Sequence, residues 1–163
     1  MIKKIIILFL ILIPINSYAL IEVDITRGNL NPLPVAVSPL SIDEKSRESF
    51  EKVLKKENIG VEISSIVENN LRTSGLFNPL SKEAFLQAPD IANLKPRFED
   101  WNLIKAQALI TGKVNFIDDK LRVEFRLWDV LAGKEMMALA FTTVPTNWRR
   151  VGHIITDKVY ERL

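Results

Sequence analysis

Residues 110–141, ITGKVNFIDDKLRVEFRLWDVLAGKEMMALAF, carry the clearest fold signal in the 163-residue chain. Apolar and polar side chains alternate through three runs, and the dipeptides Asp118-Asp119 and Ala132-Gly133 separate these runs as turns. The apolar positions are Ile110, Val114, Phe116, Leu121, Val123, Phe125, Leu127, Met137, Leu139 and Phe141. A period of two interrupted by turn residues predicts a three-stranded antiparallel meander, with one face in the core and the other facing water.

Two helical stripes flank this meander. The upstream stripe consists of Ile63, Ile66, Val67 and Leu71. Its spacing predicts an amphipathic helix, which Gly75 ends because a left-handed residue is favoured just after a helix. The downstream stripe consists of Trp148, Val151, Ile155 and Val159. Asn147 stands where a side chain can cap this final helix.

Shorter signals complete the domain. Residues 33–40 form a β-branched run closed by Pro39, which predicts the first strand, and Leu76-Phe77 leads into a short strand that Pro79 ends. Residues 81–96 show no clean period and predict an irregular connection. Residues 97–105 predict a short helix. Its inward side chains are Phe98, Trp101 and Ile104.

The charged stretch from Ser41 to Asn58 is ambiguous. Its strong apolar positions are only Phe50, Val53 and Leu54. We interpret it as a surface loop or loosely packed helix, and a solvated amphipathic helical arm is an equal alternative.

The order of these elements predicts an α+β fold. We expect a mixed sheet of about five strands with helices packed mainly on one face. The first two strands should be parallel, because a helix connects them in a right-handed crossover. The strand order does not follow from the pattern. We expect one core to contain Leu71, Trp101, Phe125, Val151 and Ile155.

Residues 1–19 have the features of a secretory signal peptide. Lys3 and Lys4 precede an apolar run at 5–13, and Ser17-Tyr18-Ala19 fits a cleavage site after Ala19. The alternative is an uncleaved membrane anchor, but the run is far shorter than the ~20 residues of a spanning helix. We therefore expect export to the periplasm, followed by an extended segment with a turn-rich hinge at 20–32 and a domain at 33–163.

Composition excludes several classes of function. Without Lys3 and Lys4 the chain has 20 basic and 20 acidic residues, so it lacks the positive field that drives nucleic-acid binding. Cysteine is absent, which excludes disulfides, thiol nucleophiles and thiolate metal sites. We expect no nucleic-acid partner, no cofactor and no metal.

Catalytic motifs are also absent from the sequence. His153, the only histidine, lies within the final helix and no G-x-S-x-G elbow accompanies it, so we interpret it as a partly exposed helical residue. Asp118 and Asp119 are interpreted as turn formers, and Trp148, like Trp101, as a packing residue. Trp128 lies on the polar face of its strand. It marks either an interaction surface or a cover against the C-terminal helix.

Three segments carry a resemblance to a known family. They are NLRTSGLFNPL at 70–80, Trp101 with ALITGKV at 108–114, and WRRVGH at 148–153 with DKV at 157–159. Together they resemble the N-terminal domain of the TolB family, the periplasmic component of the Tol-Pal system. The resemblance covers residues 20–163 and implies an α/β unit with a mixed sheet.

The resemblance implies a non-enzymatic adaptor that supports outer-membrane integrity and envelope invagination at division. In the family, the exported N-terminal strand binds the C-terminal domain of TolA. The matching positions are Leu20, Ile21, Glu22, Val23, Asp24, Ile25, Thr26, Arg27 and Gly28. Their alternating pattern suits addition to the open sheet edge of a partner. Membrane association is then expected only through protein partners.

The chain departs from the family pattern in two places. The stretch at 41–58 is longer than expected, so no role is transferred to it. The family continues beyond the position of Leu163 into a six-bladed β-propeller that binds Pal. We therefore expect a truncated product, a split gene or a fragment, with Pal binding only if another chain or a missing C-terminal part supplies the propeller.

Two alternatives to the adaptor remain at this stage. One is a periplasmic activator of cell-wall synthesis with a similar small α/β fold, although that interpretation requires a lipobox cysteine, which is absent. The other is an uncharacterised periplasmic enzyme.

Overall fold

A six-stranded mixed sheet organises residues 31–163, the part of the chain that the computed structural model describes. The predicted signal peptide and the predicted partner-binding segment at 20–28 lie outside the described residues. The strands are β1 Leu33–Val37, β2 Ser41–Ile42, β3 Phe77–Pro79, β4 Ala108–Ile117, β5 Lys120–Asp129 and β6 Lys134–Thr143. The helices are α1 Glu44–Leu54, α2 Ile59–Thr73, α3 Pro89–Leu94, α4 Phe98–Leu103 and α5 Trp148–Arg162, with 3₁₀ turns at Lys82–Ala84 and Pro145–Asn147.

The strand order is β3-β1-β4-β5-β6, with β2 pairing on β4 beyond the end of β1. β1 is parallel to both β3 and β4, whereas β4, β5 and β6 are antiparallel. The α+β class, the parallel first pair and the antiparallel meander are therefore confirmed. Asp118 and Asp119 both have positive φ, 49° and 57°, as a tight hairpin between β4 and β5 requires.

Helices cover both faces of the sheet, and the three long ones share one face. The cluster on that face joins α1, α2 and α5 to the sheet through fully buried side chains. These include Phe50, Ile63, Leu71, Val123, Phe125, Val151 and Ile155. The predicted stripes of α2 and α5 are thereby confirmed, and Gly75 with φ 73° follows α2 as expected.

The short helices α3 and α4 form a second cluster on the opposite face. Its buried members are Ala36, Ala92, Trp101, Ala106, Leu109 and Val130. Trp101 is buried as predicted, but its placement in one core with Leu71 and Phe125 is wrong. The reason is that β1 and the start of β4 are buried on both sides, so the sheet itself separates the two clusters.

The stretch at 41–58 contains β2 and the helix α1, so the helical alternatives predicted for it are closer to the structure than the surface loop. Asp43 accepts a hydrogen bond from the backbone N–H of Ser46 at 2.8 Å and begins α1, an eleven-residue helix. Phe50 is 0% exposed and its ring packs edge-on against Phe116, 5.1 Å between centroids. One large aromatic side chain thus fixes an otherwise charged helix on the sheet.

Two local predictions require correction. Residues 81–96 are not wholly irregular, since they contain α3, which Pro89 begins at a first-turn position where it needs no hydrogen bond. Asn147 does precede α5, but its side chain does not cap the helix. Its amide group instead donates to Thr143 Oγ1 at 3.1 Å.

Candidate partner-binding surfaces

The predicted partner-binding segment precedes β1 in the sequence. Residues 20–28 lie outside the described residues, and the exposed Asn31 and Pro32 lead directly into the strand. The backbone N–H of Leu33 donates to the carbonyl of Leu76 at 2.9 Å and fixes the first strand residue on β3. Within residues 31–163 the sheet therefore begins at Leu33, the residue that follows the predicted hinge.

Trp128 is half-buried within the second cluster. Its Nε1 donates to Thr111 Oγ1 at 2.9 Å, and its ring lies 5.8 Å from that of Phe98 in α4. The interpretation that Trp128 is a cover against the C-terminal helix is wrong, because α4 covers it and α5 lies on the other face of the sheet.

His153 is an exposed residue of α5, as predicted. The side-chain amide of Asn70 in α2 donates to His153 Nδ1 at 2.9 Å and to Thr156 Oγ1 at 3.2 Å. His153 therefore contributes to the contact between α2 and α5.

The carboxylates with shifted pKa values have structural partners. Burial of Glu68 opposes its ionisation, but hydrogen bonds from Arg72 and Lys82, at 2.6 and 2.9 Å, outweigh burial and hold the pKa of Glu68 below its ordinary value. Glu124 is likewise buried in part, and its pKa is lowered by Arg122 and Lys113. These ion pairs account for the shifts without any catalytic role.

Residues 31–163 offer neither a cluster of metal ligands nor a membrane-spanning helix. This part of the chain contains no group of three or more histidine and carboxylate residues placed to hold a metal ion. None of its helices is long and apolar enough to cross a membrane.

The edge of β6 is a surface that the sequence pattern did not reveal. Among the described residues β6 pairs only with β5, so its other side is an open edge. A groove of about 350 Å³ lies between this strand and α5. Phe141, Val151 and Ile154 form its apolar part, and Arg150 stands in the same groove. The alternation of β6 signalled a strand, but position at the edge depends on the order of strands in the sheet.

Comparison with protein families gives a match over residues 21–136, to the TolB amino-terminal domain. A relative described as Tol-Pal system protein TolB, from Pelagibacter ubique (strain HTCC1062), is 79% identical over 163 residues. The alignment covers all of this chain and 36% of the relative. The chain thus spans about a third of the length of that relative.

Solved structures share the fold. The crystal structure of TolB from Acinetobacter baumannii superposes with a TM-score of 0.62 at 20% identity, over 80% of this chain and 28% of that one. The lipoprotein GNA1162 from Neisseria meningitidis gives a TM-score of 0.50 at 17% identity, over 80% of this chain and 96% of that one. At these identities the likeness extends to the fold alone.

Proposed function

This chain belongs to the TolB family, and we propose that it acts as a non-enzymatic periplasmic adaptor of the Tol-Pal system. The observation that carries the proposal is the family match over residues 21–136, together with 79% identity to a Tol-Pal system protein along the whole chain. In this role the protein supports outer-membrane integrity and invagination of the envelope at division, and it reaches the membrane through its protein partners.

The proposed contact with TolA is the segment Leu20–Gly28. Ile21, Val23 and Ile25 alternate with Glu22, Asp24 and Thr26, which gives an extended segment one apolar and one polar side. Such a segment adds to the open sheet edge of a partner through main-chain hydrogen bonds, and its apolar side chains enter pockets on that partner.

The described domain supports the expectation that the fold does not depend on the segment. Within residues 31–163 the two clusters already enclose large buried side chains, among them Phe50 and Trp101. We therefore expect that loss of residues 20–28 removes binding and leaves the stability of the domain almost unchanged. Binding to Pal is proposed only where a propeller is present in another chain or in a longer form of this one.

Calorimetric titration of residues 20–163 with the C-terminal domain of TolA tests the proposal. Deletion of residues 20–28 should abolish the heat of binding while the melting temperature changes by less than ~2 °C, because ~0.5 kcal/mol corresponds to a shift of that order. Val23→Pro should weaken binding roughly tenfold or more, because proline removes one backbone donor and fixes φ.

The matched control is Asn29→Pro, which introduces the same residue into the hinge rather than into the strand. We expect it to bind as the unmodified protein does. If the deletion leaves the affinity unchanged, the interaction lies on the folded domain and the assignment to residues 20–28 is incorrect.

A further inference from the structure

We propose that the free edge of β6 and the groove beside it form a second docking surface, which accepts an extended acidic segment of another protein as an added strand. This surface lies on the folded domain and goes beyond the role proposed for residues 20–28.

Apart from one bulge at its start, the edge of β6 lacks the features that normally protect a sheet edge. Natural edge strands are kept short or carry charges, proline or bulges that prevent pairing with another chain. The opposite edge strand, β3, follows this rule with three residues and Pro79. In contrast, residues 136–144, MMALAFTTV, contain no charge and no proline. Their alternate backbone groups are therefore available to an added strand.

One irregularity limits the usable length of this edge. The pairing steps from Leu127–Met137 to Trp128–Glu135, so Met136 is the extra residue of a bulge. The regular part of the edge runs from Met137 to Thr143, which is long enough to pair with a strand of ordinary length.

The groove between β6 and α5 specifies what the added strand should carry. Ile154 with Phe141 offers an apolar contact, and Arg150 lies one helical turn earlier on the same helix. The four residues from Arg150 to Ile154 rise about 6 Å along the helix, and residues two apart on a strand are about 6.6 Å apart on the same face. An apolar side chain and a carboxylate two positions apart therefore match Ile154 and Arg150.

The charge of the groove favours an acidic partner. Among residues 31–163, no aspartate or glutamate lines the groove and Arg150 forms no salt bridge. Arg150 also lies in the first turn of α5, where the helix dipole adds to the positive potential.

A second copy of β6 fits the groove less well than such a partner. The only acidic residue of β6 is Glu135, which pairs opposite Trp128 because of the bulge and therefore lies on the same face of the sheet as Trp128. Its Oε2 lies 3.3 Å from Arg126 Nε. That carboxylate is directed away from the face that α5 covers, so a copy cannot present it to Arg150.

The probe for this surface is a capped seven-residue peptide, in which threonine alternates with valine, glutamate and valine. Its central glutamate has valine two positions away on both sides, so the peptide fits in either direction. The control peptide has lysine in place of glutamate. Fluorescence anisotropy with residues 20–163, which include the compact unit Asn31–Leu163, measures both affinities. We expect the glutamate peptide to bind roughly fivefold more tightly.

Three variants locate the binding site. Arg150→Glu should invert the preference between the two peptides. Ala140→Lys places a charge on the exposed edge and should weaken both peptides at least tenfold. Asn78→Lys is the matched control, because it introduces the same exposed lysine on the opposite edge strand, and it should change neither affinity. Circular dichroism confirms that each variant is folded.

Several results would overturn the proposal. Equal affinity for the two peptides would exclude a role of Arg150 in binding. Unchanged binding by Ala140→Lys would exclude the edge of β6 as the binding site. If the peptide binds only after deletion of residues 20–28, the chain's own segment occupies this surface. A dimer in sedimentation that Ala140→Lys dissociates assigns it to a second copy. Titration of Ala140→Lys with the TolA domain separates the two proposals, since the contact at 20–28 predicts unchanged affinity there.

Discussion

Replacement of Trp101 tests whether the second hydrophobic cluster is needed to hold the domain together. Trp101 is 1% exposed in α4, and its ring lies 5.0 Å from that of Phe85. Burial of an aromatic side chain of this size removes roughly 200 Å² from water, which corresponds to about 5 kcal/mol at 25 cal/mol per Å². Alanine retains little of that area and leaves a cavity, so we expect Trp101→Ala to lower the free energy of unfolding by about 3–5 kcal/mol.

A second substitution separates packing from hydrogen bonding. Trp101 Nε1 is buried without a hydrogen-bond partner among the described residues. Trp101→Phe removes this unpaired donor while it keeps most of the apolar contact, so we expect a loss of only about 1–2 kcal/mol. Leu103→Ala is the control in the same helix, because Leu103 is 73% exposed and should change stability by no more than about 0.5 kcal/mol.

Urea denaturation followed by circular dichroism measures all three variants without relying on tryptophan fluorescence. The slope of unfolding free energy against urea should stay constant, so that shifts in midpoint report stability. A Trp101→Ala variant within about 1 kcal/mol of the unmodified protein would contradict the burial argument. It would mean that the cluster formed by α3 and α4 contributes little to the cooperative unit.

Two further substitutions test other parts of the packing. Gly60→Ala should destabilise the domain by about 2–3 kcal/mol in the same urea assay, because the added carbon would overlap the carbonyl oxygen of Leu40. A Gly60→Ala protein of unchanged stability would contradict this close approach of α2 to Leu40. Glu68→Gln should cost roughly 1 kcal/mol at neutral pH, and because the pKa of Glu68 is lowered from 4.5, this difference should shrink as the pH falls below about 4.5. A difference that is independent of pH between 3 and 7 would exclude the ion pairs with Arg72 and Lys82 as its source.

Local periodicity was sufficient to predict the meander and the helices α2 and α5. Each of these elements repeats its apolar pattern over ten or more residues, so the signal in β5 or α5 is complete within the element itself. Phe50 shows the limit of this reasoning. One aromatic residue in a charged stretch gives almost no periodic signal, yet it is fully buried because Phe116 and the cap at Asp43 place it against β4.

The division of the core into two hydrophobic clusters was indicated in the sequence by a run of consecutive apolar residues, a pattern different from alternation. Ala108, Leu109 and Ile110 are consecutive and all buried, which is typical of a strand covered on both faces. Strand order depends on contacts between distant parts of the chain, so the open edge of β6 could not be predicted. The role of residues 20–28 stays a prediction, since they lie outside the described residues.

The position of β1 between β3 and β4 has a consequence for the order in which the chain acquires its structure. β1 leaves the ribosome before any of its neighbours. Its pairing with β4, in which Val35 lies opposite Ala108, requires the intervening chain with helices α1 and α2 to be synthesised first. The hairpins from β4 to β6 need only adjacent residues and therefore close first. Pulse-labelled hydrogen exchange should show protection of β5 amides before those of β1, and equal rates would exclude this sequence of events. Until β4 pairs with it, the apolar β1 is a natural target for chaperones.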